Sequence, residues 1–311
     1  KMSLMDITKM FSLLQPRDDE AEEEDGGDSQ ELIRAVSEDD HETLARLLCQ
    51  QRYRRLLERR SGWGVPSTPL RLAATRGHVR SLRVLLAHGA EVDSLDAKAQ
   101  TPLFVAVTKG HRECVAALLG AGASPAGSPY NNCSPLLVAA RDGRLAILRL
   151  LLGRGAQPNA QPRLPPWAAS PAACSGPLYL AAAYGHLECF RALLLHGAEP
   201  NYNCAEDGML SQLREPRTVL ETCLRHGRRG EFVRLLIDFG ANVYLPSLPL
   251  DGVAPGSEGM ELLLHARANP KSLLSQSRLA VRRLLKQPGL LPALRELGIP
   301  TVLANYLQHQ P

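Results

Sequence analysis

Thr68-Pro-Leu-Arg-Leu-Ala-Ala, Thr101-Pro-Leu-Phe-Val-Ala-Val, Ser134-Pro-Leu-Leu-Val-Ala-Ala and Gly176-Pro-Leu-Tyr-Leu-Ala-Ala are four copies of one phrase. The prolines fall at 69, 102, 135 and 177, at intervals of 33, 33 and 42 residues. A weaker fifth copy, Thr218-Val-Leu-Glu-Thr-Cys, starts 42 residues after Gly176. A second phrase follows each copy: Gly77-His-Val-Arg-Ser-Leu-Arg-Val-Leu-Leu-Ala-His-Gly-Ala, then matching stretches from Gly110, Gly143, Gly185 and Gly227. Thr or Ser caps a first helix, and Pro fits its first position, where no N–H partner is needed. Small residues (Ala73, Ala74, Ala106, Ala139, Ala140, Ala181, Ala182) let neighbouring helices approach closely. Gly77, Gly110, Gly143 and Gly185 suit a left-handed helix end. The second helix carries leucines at helical spacing, as at 82, 85 and 86 or 148, 151 and 152, and a second glycine closes it. One such unit cannot bury both of its helices, so units stack. The expected fold is an all-α solenoid of helix–turn–helix units with short hairpin turns.

This unit resembles the ankyrin repeat, whose period is 33 residues and whose signature is Thr-Pro-Leu-His-x-Ala. The match covers about residues 65 to 245. The units are expected at 65–97, 98–130, 131–163, 173–205 and 215–247, with a degenerate one at 248–270. Arg71, Phe104, Leu137 and Tyr179 replace the signature histidine, which predicts looser hydrogen bonding between turns. The 42-residue strides imply insertions near Pro162–Cys174 and Asn203–Pro216. Upstream, Ser29–Leu48 reads as a helix pair within a cap spanning 29–64. Residues 1–28 read as an amphipathic segment (Leu4, Ile7, Met10, Phe11, Leu14) leading into an acidic, disordered linker. That segment reads either as a helix that folds onto a partner or the array, or as a frayed terminus.

From Lys271 the pattern changes. Ser272 to Leu285 reads as a capped amphipathic helix. Its apolar side is Leu273, Leu274, Val281, Leu284 and Leu285, and its basic side is Arg278, Arg282 and Arg283. A second helix is expected over Leu291–Leu297 and a third over Thr301–Leu307. Forty residues rarely make a self-sufficient core. The segment therefore either caps the solenoid or awaits a partner. Residues 271–311 resemble a SOCS box. Ser272, Leu273, Ser277 and Val281 follow the spacing of that family's first helix, and Leu297-Gly298-Ile299-Pro300 follows its second motif. With the opening Leu-Met-Asp-Ile-Thr-Lys and Ser61-Gly-Trp-Gly-Val-Pro, the chain resembles the ankyrin repeat and SOCS box proteins over nearly its whole length.

The resemblance implies a substrate receptor of a cullin-RING ubiquitin ligase. Leu273, Ser277 and Val281 would bind elongin C of the elongin B–elongin C pair. Leu297, Ile299 and Pro300 would bind cullin-5, which brings its RING partner. The repeats would hold an unidentified substrate protein. Ser277 stands where the family has Cys, and Gly298 where it has Pro. Candidate substrate contacts are the inter-unit turns and insertions: Leu95, Tyr130, Asn131, Trp167 and Tyr202. A plain ankyrin scaffold or inhibitor that recruits no ligase is the alternative.

Composition narrows the remaining classes. The 311 residues are 44% hydrophobic and 22% charged, enough for a core, and only 5% aromatic. No stretch of about 18 apolar residues exists, so no membrane span is expected. Asp6, Lys9 and Ser12 interrupt the apolar residues between Leu4 and Leu14, so no secretory leader is expected either. Seven scattered cysteines without a C-x-x-C pair suit a reduced intracellular setting, cytoplasmic or nuclear. The net charge of +4 conceals an acidic run, Asp18 to Asp28, on an otherwise basic chain. The arginines are scattered, so nucleic acid is not an expected partner. Only six of the 36 basic residues are lysines, which reads either as compositional drift from Lys to Arg or as a scarcity that limits acceptor amines beside a ubiquitin ligase. His111-x-x-Cys114 and His186-x-x-Cys189 have metal-ligand spacing, but both fit ordinary positions of the repeat, so no metal is expected. No phosphate loop, nucleophile elbow or carboxylate pair is present, so neither a cofactor nor an enzyme is expected.

Overall fold

In a computed structural model, placement is described for residues 25–58, 68–131, 133–160, 176–201, 218–227, 229–244, 256–284 and 299–307. The expected N-terminal segment up to residue 24, both insertions and the second box helix lie outside these residues. The chain divides into two compact units, residues 1–135 and 136–311.

The first unit opens with the cap. Helix α1 (Asp25–Ser37) begins inside the acidic run, four residues earlier than expected. Helix α2 (His41–Leu48) is capped by Asp40, whose carboxylate accepts from Thr43 N at 3.0 Å. A short α3 (Gln51–Arg54) and a 3₁₀ turn (Arg55–Glu58) complete it. Asp39, at φ 56°, accepts from both Ser81 N and Ser81 Oγ, which ties the cap to the first repeat.

The repeats then follow the sequence. Helix α4 (Pro69–Arg76) starts where Thr68 Oγ1 accepts from Arg71 N at 3.3 Å, and α6 (Pro102–Lys109) where Thr101 accepts from Phe104 N at 3.2 Å. Gly77 and Gly110 end them in the left-handed region, at φ 79° and 85°. A Cβ on Gly77 would come within 2.6 Å of His111 Nδ1, so the close approach of the next unit also requires glycine there. Second helices α5 (Val79–Ala87) and α7 (Arg112–Gly120) bury Leu82, Leu85, Leu118 and Leu119. His78 bonds to Val36 O at 2.8 Å and His111 to Thr75 O at 3.1 Å, each joining a unit to its predecessor.

The expectation of looser bonding at the signature position fails at Arg71. Its Nη2 lies 2.6 Å from Oδ2 of Asp96, which is only 2% exposed. The other oxygen of Asp96 accepts from Lys98 N and Gln100 N. A longer cation reaches the next turn, so an ion pair replaces the weak point. Phe104 and Leu137 are buried at the same position and pack instead.

The second unit contains α8 (Pro135–Arg141), whose first residue closes the first unit, α9 (Leu145–Gly153), α10 (Pro177–Tyr184), α11 (Leu187–Leu195), α12 (Val219–Arg225) and α13 (Gly230–Asp238). First helix α10 packs on α12, and second helices α9, α11 and α13 pack in succession. Two bonds step over the insertions without loss of register. Asn159 Oδ1 accepts from Glu199 N at 2.8 Å, and Asn201 Oδ1 from Asn242 N at 2.6 Å. Helix α14 (Glu258–Ala268) packs on α13 as the lone described helix of the degenerate unit, with Glu258 accepting from Gly230 N at 3.1 Å. Helices α15 (Leu273–Leu284) and α16 (Thr301–Leu307) follow.

Candidate protein-docking site

Ser272 starts α15 by accepting from Ser275 N at 3.2 Å. The helix is amphipathic, as expected, but its two sides are placed the other way round from the usual arrangement. Leu273 is 82% exposed and Leu274 62%, while Ser277 and Val281 are exposed as well. Of the expected basic side, Arg278 and Arg282 face inward. Arg282 is 8% exposed. Its Nη1 donates to Leu307 O at 2.7 Å and its Nη2 to Leu194 O at 3.1 Å, and its guanidinium lies 4.1 Å from the centre of the Phe239 ring. Burial, then the neighbouring charge of Arg278, lowers its pKa to about 10. Arg278, one turn earlier, stacks 4.6 Å from the Tyr306 ring and lies 3.9 Å from Asp238. Burial raises the Asp238 pKa against the pull of Arg278.

The sequence leaves open which of the two sides the rest of the chain covers, and the structure covers Arg278 and Arg282. Periodicity separates two faces of a helix but does not say which one the neighbours cover. Here the neighbours offer carbonyls, aromatic rings and a carboxylate, which suit guanidinium groups better than leucines.

Leu273, Ser277 and Val281 are spaced four residues apart, so they share one outward stripe. Val302 and Leu303 of α16 are also exposed, whereas Ala304 and Leu307 are buried. Pro300 is exposed and Ile299 half-buried. The Pro300 carbonyl accepts from Leu303 N and Ala304 N, so this pair sits at the start of α16. Leu297 lies outside the described residues.

The candidate substrate residues are less concentrated. Leu95 is half-buried beside the Asp96 turn. Tyr130 N donates to Ser128 Oγ, and Asn131 Oδ1 accepts from Cys133 N, so this pair builds a turn. Trp167 and Tyr202 lie outside the described residues. Two exposed aromatics were missed, Tyr184 (58%) and Tyr244 (65%). Tyr184 stacks on His186 with the rings 5° from parallel. Its signal was available: the equivalent last residue of α4 and α6 is Arg76 or Lys109, and an aromatic there breaks the polar pattern.

His186 bonds to Arg141 O at 2.8 Å through the same nitrogen, Nε2, that His111 uses. Cys114 and Cys189 are buried, and desolvation pushes both thiols up to about 11. Among the described residues no group of three or more His, Cys, Asp or Glu could hold a metal ion. None of the described helices is long and apolar enough to cross a membrane.

Comparison with known proteins matches these parts to families. Residues 32–127 match ankyrin repeats (3 copies), and 131–162 and 176–204 each match an ankyrin repeat. Residues 269–308 match the SOCS box. Human ankyrin repeat and SOCS box protein 12 is 61% identical over 309 residues, covering 99% of this chain and 100% of the relative. The mouse protein of that name is 59% identical, with the same coverage. Human ankyrin repeat and SOCS box protein 1 is 41% identical over 290 residues, covering 87% of this chain and 86% of the relative. The crystal structure of the human ASB11 ankyrin repeat domain superposes with a TM-score of 0.57 at 26% identity, covering 78% of this chain and 99% of that one.

Proposed function

The chain belongs to the family of ankyrin repeat and SOCS box proteins, and from that premise we propose that it is a non-catalytic substrate receptor of a cullin-RING ubiquitin ligase. In this reading the repeats within 65–270 hold the target protein. The box within 271–311 recruits elongin B and elongin C through Leu273, Ser277 and Val281. It then meets cullin-5 and its RING partner through Leu297, Ile299 and Pro300. The assembly works in the cytoplasm or nucleus.

The observation that carries the reading is the outward stripe of α15. A helix that only capped the array would turn its leucines inward. Leu273 at 82% exposure instead leaves a large apolar side chain ready for a partner's pocket, the usual form of an interface anchor. Ser277 sits in the middle of that stripe. Burying its hydroxyl without a partner costs about 1–3 kcal/mol, so elongin affinity is reduced relative to a cysteine there. Gly298, where the family has Pro, gives the cullin motif more backbone freedom to lose on binding.

Co-expression with elongin B and elongin C, followed by size-exclusion chromatography, tests the reading. The expected outcome is a stoichiometric complex that Leu273→Asp abolishes, while thermal melting of that variant stays within about 0.5 kcal/mol of the parent, as for other exposed positions. A folded chain that elutes alone sinks the ligase reading and leaves a scaffold that binds one protein.

A further inference from the structure

Helix α15 is turned inside out. Leu273, Leu274 and Val281 meet solvent while Arg278 and Arg282 meet protein, against the hydrophobic driving force on the three apolar side chains. Something must oppose the roll that would bury them. The Arg282 guanidinium bridges two backbone carbonyls that no single neighbour supplies: Leu194 O in the last turn of α11 and Leu307 O at the end of α16. Both are C-terminal helix ends, which carry partial negative charge and favour a cation. The ring of Phe239, just beyond α13, lies under the same group, and Tyr306 lies under Arg278. Rolling α15 to bury its leucines would break both carbonyl bonds and both ring contacts together. Beside them, Gly240 at φ 92° leaves room for Leu279, which a Cβ would approach to 3.1 Å.

We propose that Arg278 and Arg282 are positioning residues that lock α15 with its Leu273–Ser277–Val281 stripe outward, so that the docking face exists before any partner arrives. The benefit is pre-organisation: a partner that meets a presented stripe spends no binding energy on turning the helix. A planar fork is needed, because an ammonium cannot reach both carbonyls while stacking on Phe239. The function of the stripe rests on the ligase-receptor reading, but its orientation does not.

The test separates the two. A thiol introduced by Ser277→Cys reports the outward face in the free chain, read by mass spectrometry of the 273–284 peptide during alkylation. With both arginines present it should alkylate at the rate of an exposed thiol such as that of Cys49. With Arg278→Leu and Arg282→Leu added, α15 is expected to roll, and alkylation should slow at least tenfold. Asp238 keeps the charges of Arg234 and Lys271 beside it in that variant, and circular dichroism checks that the array stays folded. In parallel, the double variant without the probe should bind elongin B–elongin C at least tenfold more weakly, and Arg282→Lys should fall between. Alkylation as fast as in the parent overturns the proposal. Rapid amide exchange along all of α15 would mean that the double variant has unfolded the helix, and Arg278→Leu alone then decides: alkylation as fast as in the parent overturns the proposal. A parent chain that fails to bind elongin overturns the ligase reading and leaves the alkylation result standing.

Discussion

Arg71 illustrates what one residue can hide. Read as a letter, it is a departure from the histidine of the repeat signature, and the sequence predicts weaker bonding between turns. Placed in three dimensions, its guanidinium closes on Asp96, a carboxylate fully buried within the next turn. The pairing was not legible, because the partners stand 25 residues apart and Asp96 reads as an ordinary turn former. Removing one side of such a pair strands the other. Arg71→Leu is expected to cost about 3 kcal/mol in urea unfolding. Arg71→Leu combined with Asp96→Asn is expected to recover most of that loss, since a neutral amide oxygen still accepts from Lys98 N and Gln100 N. If the double variant is no more stable than Arg71→Leu alone, the ion pair is not what holds this turn.

At the scale of the element, the repeat helices were legible nearly to the residue. Thr-Pro starts and glycine ends are local chemistry, and Thr68, Thr101, Gly77 and Gly110 do what those residue types dictate. Helix α15 was legible as a helix with two sides, but not as one facing outward, because that depends on what α11, α13 and α16 offer it. The second helices α7 and α11 carry a further consequence. Cys114 and Cys189 occupy the same place in the buried stripe, and desolvation holds their thiols protonated up to about 11, above the ordinary value of 9.0. In the unfolded chain they ionise near 9, so between about 9 and 11 the unfolded state binds fewer protons. Stability contributed by the buried thiols is thus full below pH 9 and falls as pH rises through 11. Urea unfolding at pH 8, 9.5 and 10.5 should show that decline. Cys114→Ala with Cys189→Ala should flatten it, and an equally steep decline in that variant removes the thiols as its cause.

Across the whole molecule, repetition was the strongest signal, and it survives interruption. The asparagine bonds from Asn159 to Glu199 and from Asn201 to Asn242 keep turn on turn within the second unit although each stride carries extra residues. The period therefore located the insertions, while the partner they would meet has no periodic signature to read. Lysine distribution is a second property visible only at this scale. No lysine occurs between Lys109 and Lys271, so α7 through α14 carry no lysine amine. Arg149, Arg191 and Arg234 stand at equivalent exposed positions of α9, α11 and α13. Guanidinium groups do not accept ubiquitin, whereas a lysine amine does, and a receptor held beside an active ligase gains lifetime from the difference. Arginine and lysine are near-equal helix formers, so Arg149→Lys, Arg191→Lys and Arg234→Lys together should leave the fold intact. In a ligase reconstituted with elongin B, elongin C and cullin-5, that triple variant is expected to be ubiquitinated several times faster than the parent in the absence of substrate. Equal rates would mean that the lysine-free stretch protects nothing and that arginine was retained there for its charge alone.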